Sequence, residues 1–175
     1  MKNVASALFF LLLEFISFFC PNQSFGNESV NISLPNDTKI AFALFGEGVQ
    51  IYKSVPNVAG GFRWMLQAPS AVLKTAAGKD FVGHSAGPAW TAKDGSRIVG
   101  KLPPVQSMPT PDPGNIPWLL ITTESKGSQG VLSPIRYVLR IATVGGMPSK
   151  KPPVSQDETV STHYRATYLF LTKNK

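Results

Sequence analysis

Cysteine is almost absent from this sequence: Cys20 is the single one in 175 residues. It falls inside an N-terminal apolar run that reads as a cleavable leader, so the mature chain is expected to hold no thiol, which excludes disulfides and thiolate chemistry. Histidine is scarce as well. Only His84 and His163 occur, and without a mature cysteine they cannot close a zinc site. Acidic residues number 10 against 17 basic ones, and their dispersal gives no Asp-rich calcium loop. No metal and no cofactor are therefore expected. A glycine-rich strand–turn–helix is also missing: Gly46-Glu47-Gly48 offers two glycines with Ile51 where a third would fall, and no helical pattern follows, so a dinucleotide has no cradle.

What is present begins with Lys2 and an apolar run from Val4 to Phe19, interrupted by Glu14 and small polar residues. This is the layout of a secretory signal peptide, and it is too short and too interrupted for a membrane span. Ser24-Phe25-Gly26 has the small-x-small form that signal peptidase reads, which places cleavage after Gly26 and divides the chain into a leader, 1–26, and one domain, 27–175. The mature protein is expected to be secreted or periplasmic. Phe19, large and directly before Cys20, departs from the small residue that lipidation favours, so Cys20 reads as an apolar member of the leader. The Asn-x-Ser/Thr triplets at Asn22, Asn27, Asn31 and Asn36 would accept glycans in a eukaryotic secretory pathway. In an Asn/Ser-rich segment they also arise by chance.

Removing the leader takes away Lys2 and Glu14 together, leaving the formal charge of +7 unchanged. The basic residues are scattered and form no nucleic-acid motif, so they read as a solvated surface with no nucleic-acid partner. Attraction to anionic membranes or polysaccharides stays open.

Period-two alternation dominates the remainder and predicts an all-β domain. Lys39–Leu44 places Ile40, Phe42 and Leu44 on one face, and Gly46-Glu47-Gly48 predicts a tight reversal into Val49–Lys53. Phe62–Leu66 alternates again, and Ala68–Leu73 reads as a turn or one helical turn opened by Pro69. Phe81–Ser85 and Pro88–Ala92 read as strands, with Lys93-Asp94-Gly95-Ser96 as a two-residue hairpin turn into Arg97–Leu102. Prolines at 103, 104, 109, 111, 113 and 117 withhold backbone donors and predict a long surface loop with no central strand. Trp118–Thr123, Ile135–Ile141 and Tyr164–Leu171 complete the set. Arg136 and Arg140 are expected on one face of their strand, and Tyr164, Tyr168 and Phe170 on one face of theirs. A second loop spans 145–157. The fold class is an antiparallel β-sandwich or closed β-barrel with long Pro-rich loops; periodicity does not choose between them.

Several separated motifs carry a resemblance: Gly48-Val49-Gln50-Ile51-Tyr52-Lys53, the stretch from Val82 to Gly100, Ile116-Pro117-Trp118-Leu119-Leu120 and Thr143-Val144-Gly145-Gly146. Together they resemble an uncharacterised secreted family, domain of unknown function 3455, from about Leu34 to Phe170. The resemblance implies no activity. It implies that relatives carry one cysteine just after Gln-Ile-Tyr and another after Gly-Gly. Here Ser54 stands at the first position and Lys150-Lys151-Pro152 lacks the second, so the joint absence points to a structural disulfide in the relatives. A malate dehydrogenase label attached to some relatives is rejected here for want of the dinucleotide cradle.

His84, Trp90 and Asp94, an imidazole, an amphipathic ring and a carboxylate among glycines, suit a site for a small polar or amphipathic ligand. Arg140 joins them as an anion clamp, against the plainer reading of Arg136 and Arg140 as sheet-edge or surface charges. The competing view of the group is structural: Trp64, Trp90 and Trp118 fill the core and His84 makes a satisfied buried hydrogen bond. A secreted hydrolase using His84 is the alternative. His84 and Ser85 point to opposite faces, so it would need another serine, with Ser96 and Asp94 as the candidates. The expected function is that of an exported small-ligand-binding or structural module.

Overall fold

A computed structural model describes residues 32–174. The leader, Cys20 and the triplets at Asn22, Asn27 and Asn31 lie outside them. The described residues contain strands and no helix: β1 (Thr38–Pro56), β2 (Phe62–Lys74), β3 (Asp80–Ser85), β4 (Ala89–Ala92), β5 (Arg97–Gly100), β6 (Gln106–Met108), β7 (Trp118–Ser125), β8 (Ile135–Gly145) and β9 (Thr159–Lys173). Each long strand pairs antiparallel with its neighbour in sequence, and β1 pairs with β9. The chain thus forms an up-and-down closed barrel of eight strands rather than a sandwich, because β5 skips β6 and pairs with β7 through Ile98–Gly100 and Thr123–Ser125. β6 is the extra strand, laid on the first half of β7. It occupies the longest proline-free window of the Pro-rich loop, 105–108.

Closure explains where the expected hairpin at Gly46-Glu47-Gly48 went. The two glycines lie inside one unbroken strand, β1, and face inward. A Cβ on Gly46 would collide with the Tyr168 ring, and one on Gly48 with the Ser70 carbonyl and Ala71. Their role is close approach of barrel walls, not a turn. Ala68–Leu73 is likewise strand, not helical turn. Pro69 is tolerated because β3 pairs only with Ala71–Lys74, so the β2 edge beyond it needs no donor. The turn between β4 and β5 holds three residues, not two: Ala92 N–H donates to Ser96 O, and Gly95, at φ 84°, takes the left-handed position.

Bulges reset the inward parity at several places, two of which overturn the alternation read from the sequence. An extra residue at Ala41 turns Ile40 outward, half exposed, while Phe42 and Leu44 face in. Another, at Arg136, leaves that side chain exposed and puts Arg140 inside, so the two arginines do not share a face. β9 alternates without interruption, and Tyr164, Ala166, Tyr168 and Phe170 fill the interior with Leu73, Val82, Trp90, Ile98 and Ile121. Trp64 and Trp118 are only half-buried, so the three tryptophans do not share the core. Outside the barrel, Leu120, Leu139 and Leu171 form a second cluster packed against by Ile32 and Leu169. The segment that brings Ile32 there is tied to β6 by Gln106, whose amide accepts from Ser33 N–H and donates to Ser33 O. That cover is why the first half of β7, Trp118–Ile121, reads as apolar on both faces.

Candidate functional site

One end of the barrel opens into a cavity of about 290 Å³. Its rim comes from the unpaired edge of β2 (Leu66, Pro69), the β3–β4 turn (Gly87, Pro88) and the segment after β5 (Leu102, Pro104), and its walls include Leu119 and Ile121. Exposed Gln67 on β2 adds its amide at the rim, and the polar lining inside the barrel is Gln50, His84, Trp90, Arg140 and Tyr168. Alternation delivers each. Gln50 lies in register between Pro69 and Thr162, His84 stands opposite Trp90, and Arg140 lies between Leu119 and Tyr168.

The His84 and Trp90 rings stack across their strands, centroids 4.6 Å apart and 2° from parallel, and Tyr168 meets the imidazole edge-on at 5.6 Å. His84 Nδ1 lies 2.9 Å from Ala89 O, which fixes the proton on Nδ1 and leaves Nε2 with a lone pair. Burial lowers its pKa to about 4, with the Arg140 charge adding to the drop and the Ala89 bond opposing it. The imidazole is neutral at ordinary pH. The Tyr168 hydroxyl lies 2.9 Å from that of Tyr164. Desolvation raises both phenol pKa values, and Arg140 partly offsets the rise.

Three buried atoms at this mouth have no hydrogen-bond partner among the described residues: Gln50 Oε1, Trp90 Nε1 and Arg140 Nε. Their residues are 1 %, 2 % and 8 % exposed. Buried polar atoms are nearly always satisfied, and each orphan typically costs ~1–3 kcal/mol. Three orphans around one cavity are a concentration that packing alone does not explain.

Three of the four residues singled out from the sequence, His84, Trp90 and Arg140, converge here. Arg140 is inside the barrel and not at a sheet edge or surface. Asp94 does not join them. It sits at the other end of β4, where its carboxylate accepts from Ser96 N–H (2.9 Å), Ser96 Oγ (2.6 Å) and Val131 N–H (2.8 Å). Those bonds, the Ser96 hydroxyl first, hold its pKa below the usual carboxylate value. Ser96 Oγ also accepts from Leu132 N–H, so Asp94 and Ser96 stitch the β4–β5 turn to the 128–133 loop. They are not part of a triad with His84: among the described residues no hydroxyl or carboxylate hydrogen-bonds its ring. His163 is exposed on the outer wall. No group of three or more metal-ligating side chains occurs among the described residues.

Sequence reasoning passed over Gln50 and Tyr168. Gln50 carried a signal, a polar residue at an inward position of an apolar alternation. Tyr168 was assigned to a core face, and its exposure to the cavity depends on the barrel closing. The Ser54 hydroxyl donates to Ser155 O, which ties that end of β1 to the second loop, 145–157.

A family model described as a protein of unknown function, DUF3455, matches residues 35–172. No curated protein and no solved structure matches the chain.

Proposed function

The chain belongs to the family of proteins of unknown function DUF3455, and we propose that it is an exported binding module whose barrel mouth holds a small polar or amphipathic ligand. The observation that carries this reading is the convergence of the three unpartnered atoms, Gln50 Oε1, Trp90 Nε1 and Arg140 Nε, on one cavity. An apolar concavity with a few convergent polar groups is the usual form of a small-molecule site, and this one lies near the lower end of the common range of about 300–1,000 Å³. Export rests on the leader alone, and N-terminal sequencing of the exported protein should begin near Asn27. Native mass spectrometry of protein taken gently from its host's exported fraction tests the binding. A reproducible added mass that is lost on unfolding is expected; a bare mass, with no probe taken up, contradicts the reading.

A further inference from the structure

Among the described residues, the barrel interior holds one full positive charge and no negative one. Its buried polar residues are Gln50, Ser54, His84, Ser96, Thr123, Arg140 and Thr143, none of them acidic. The four ion pairs among the described residues, Lys53–Asp157, Lys74–Glu47, Lys101–Glu124 and Lys126–Glu124, leave Arg140 out. Arg140 Nη2 donates to Pro117 O at 2.8 Å, a neutral acceptor, and Nε is unpartnered. Guanidinium stays protonated in proteins. A buried cation without a counter-ion is costly enough that folds either pair it or discard it. Arg140 is kept, at the floor of an open cavity.

We propose that the occupant of this cavity is a small organic monocarboxylate whose carboxylate group seats on Arg140 Nε and Trp90 Nε1. This deepens the binding-module reading and rests on it. The head-group follows from the donors: one cation balances one negative charge, and two orphan N–H groups match the two oxygens of a carboxylate. Phosphate, with more oxygens and more charge, would find too few donors. The body follows from the walls, since Leu66, Pro69, Pro88, Leu102, Leu119 and Ile121 offer only apolar contact. Among the remaining polar groups, which include the Gln67 amide and the Tyr168 hydroxyl, two are acceptors without a donor. Gln50 Oε1 is unpartnered, and His84 Nε2 keeps its lone pair because Nδ1 donates to Ala89. Two acceptors in the same cavity as the two donors favour a ligand with a hydroxyl on its apolar body, so a hydroxylated aromatic or short aliphatic acid fits better than its unsubstituted parent.

Calorimetry with matched probes tests this: 4-hydroxyphenylacetate, phenylacetate and hexanoate, each against its own primary amide, and tyramine as the cationic counterpart. Each acid should bind roughly tenfold or more tightly than its amide, as for loss of a charge-assisted hydrogen bond. The hydroxylated acid should bind best and tyramine not detectably. Arg140→Met should erase the preference for acid over amide. Should that variant fail to fold, Trp90→Phe, which keeps an aromatic ring and removes the N–H, should still weaken the acids several-fold relative to the amides. Amides binding as well as acids would overturn the carboxylate inference while leaving the binding module standing. Binding by none of the probes, together with a bare native mass, would overturn both.

Discussion

The two ends of strand β4 handle buried polarity in opposite ways. At the closed end, Asp94 and Ser96 make four hydrogen bonds with each other and with the 128–133 loop, each within the protein. At the open end, Trp90 of β4, Gln50 of β1 and Arg140 of β8 each keep a buried atom that nothing in the described protein satisfies. The same strand therefore ends in a stitch that holds the fold and begins at a mouth that is incomplete without an occupant. A carboxylate in a sequence motif can belong to either kind of place. Only its partners tell which.

The contrast makes predictions that can break it. The largest concerns acid. His84 titrates near 6.5 in an unfolded chain and at about 4 when buried, so between those values the unfolded state binds the proton first. Its contribution is complete above pH 6.5, falls as pH drops, and is lost by pH 4, amounting to about 3 kcal/mol. Arg140, the one charge among the described residues that acts on the ring, lowers its folded-state pKa further and so enlarges the loss. Urea unfolding at pH 7 and pH 4.5 should show it, and His84→Asn should lose far less stability over the same interval. A variant with the wild-type acid slope would place the sensitivity elsewhere.

Next is Ser96→Ala at the closed end. It orphans the buried Leu132 N–H and should cost about 1–3 kcal/mol, with probe binding at the mouth unchanged. If binding fell with stability, the two ends would not be separable. The smallest effect is at the mouth. Arg140→Met removes an unpaired buried charge and should leave the ligand-free protein as stable as the parent or about 1 kcal/mol more so, although it loses the bond to Pro117. A loss of several kcal/mol would make Arg140 a structural residue.

How much of this was legible in the sequence follows the reach of each interaction. The alternation of Tyr164, Tyr168 and Phe170 reported an inward face because nothing interrupts β9. Arg136 and Arg140 were misjudged because Arg136 is itself the extra residue of a bulge, between Ile135 paired with Thr172 and Tyr137 paired with Leu171, which changes the parity from there to Arg140. Gly46 and Gly48 looked like a turn because two glycines read alike whether the chain reverses or a ring packs against it. His84, Trp90 and Arg140 were visible as chemistry, but their meeting requires β5 to pass over β6 and pair with β7. Nothing local encodes that. Asp94 was drawn into the group by proximity in sequence, and four residues along a strand were enough to carry it to the far end.

The most direct test uses the indole N–H groups of Trp64, Trp90 and Trp118 as reporters in a ¹H–¹⁵N spectrum. Trp64 Nε1 donates to Lys151 O on the outer surface, whereas Trp90 Nε1 is unpartnered at the mouth. On titration with 4-hydroxyphenylacetate, the Trp90 resonance should move downfield and saturate, while Trp64 stays in place. A Trp90 signal unmoved at saturating probe, or one that moves no more than Trp64, would contradict the claim that the open end of the barrel is a ligand site.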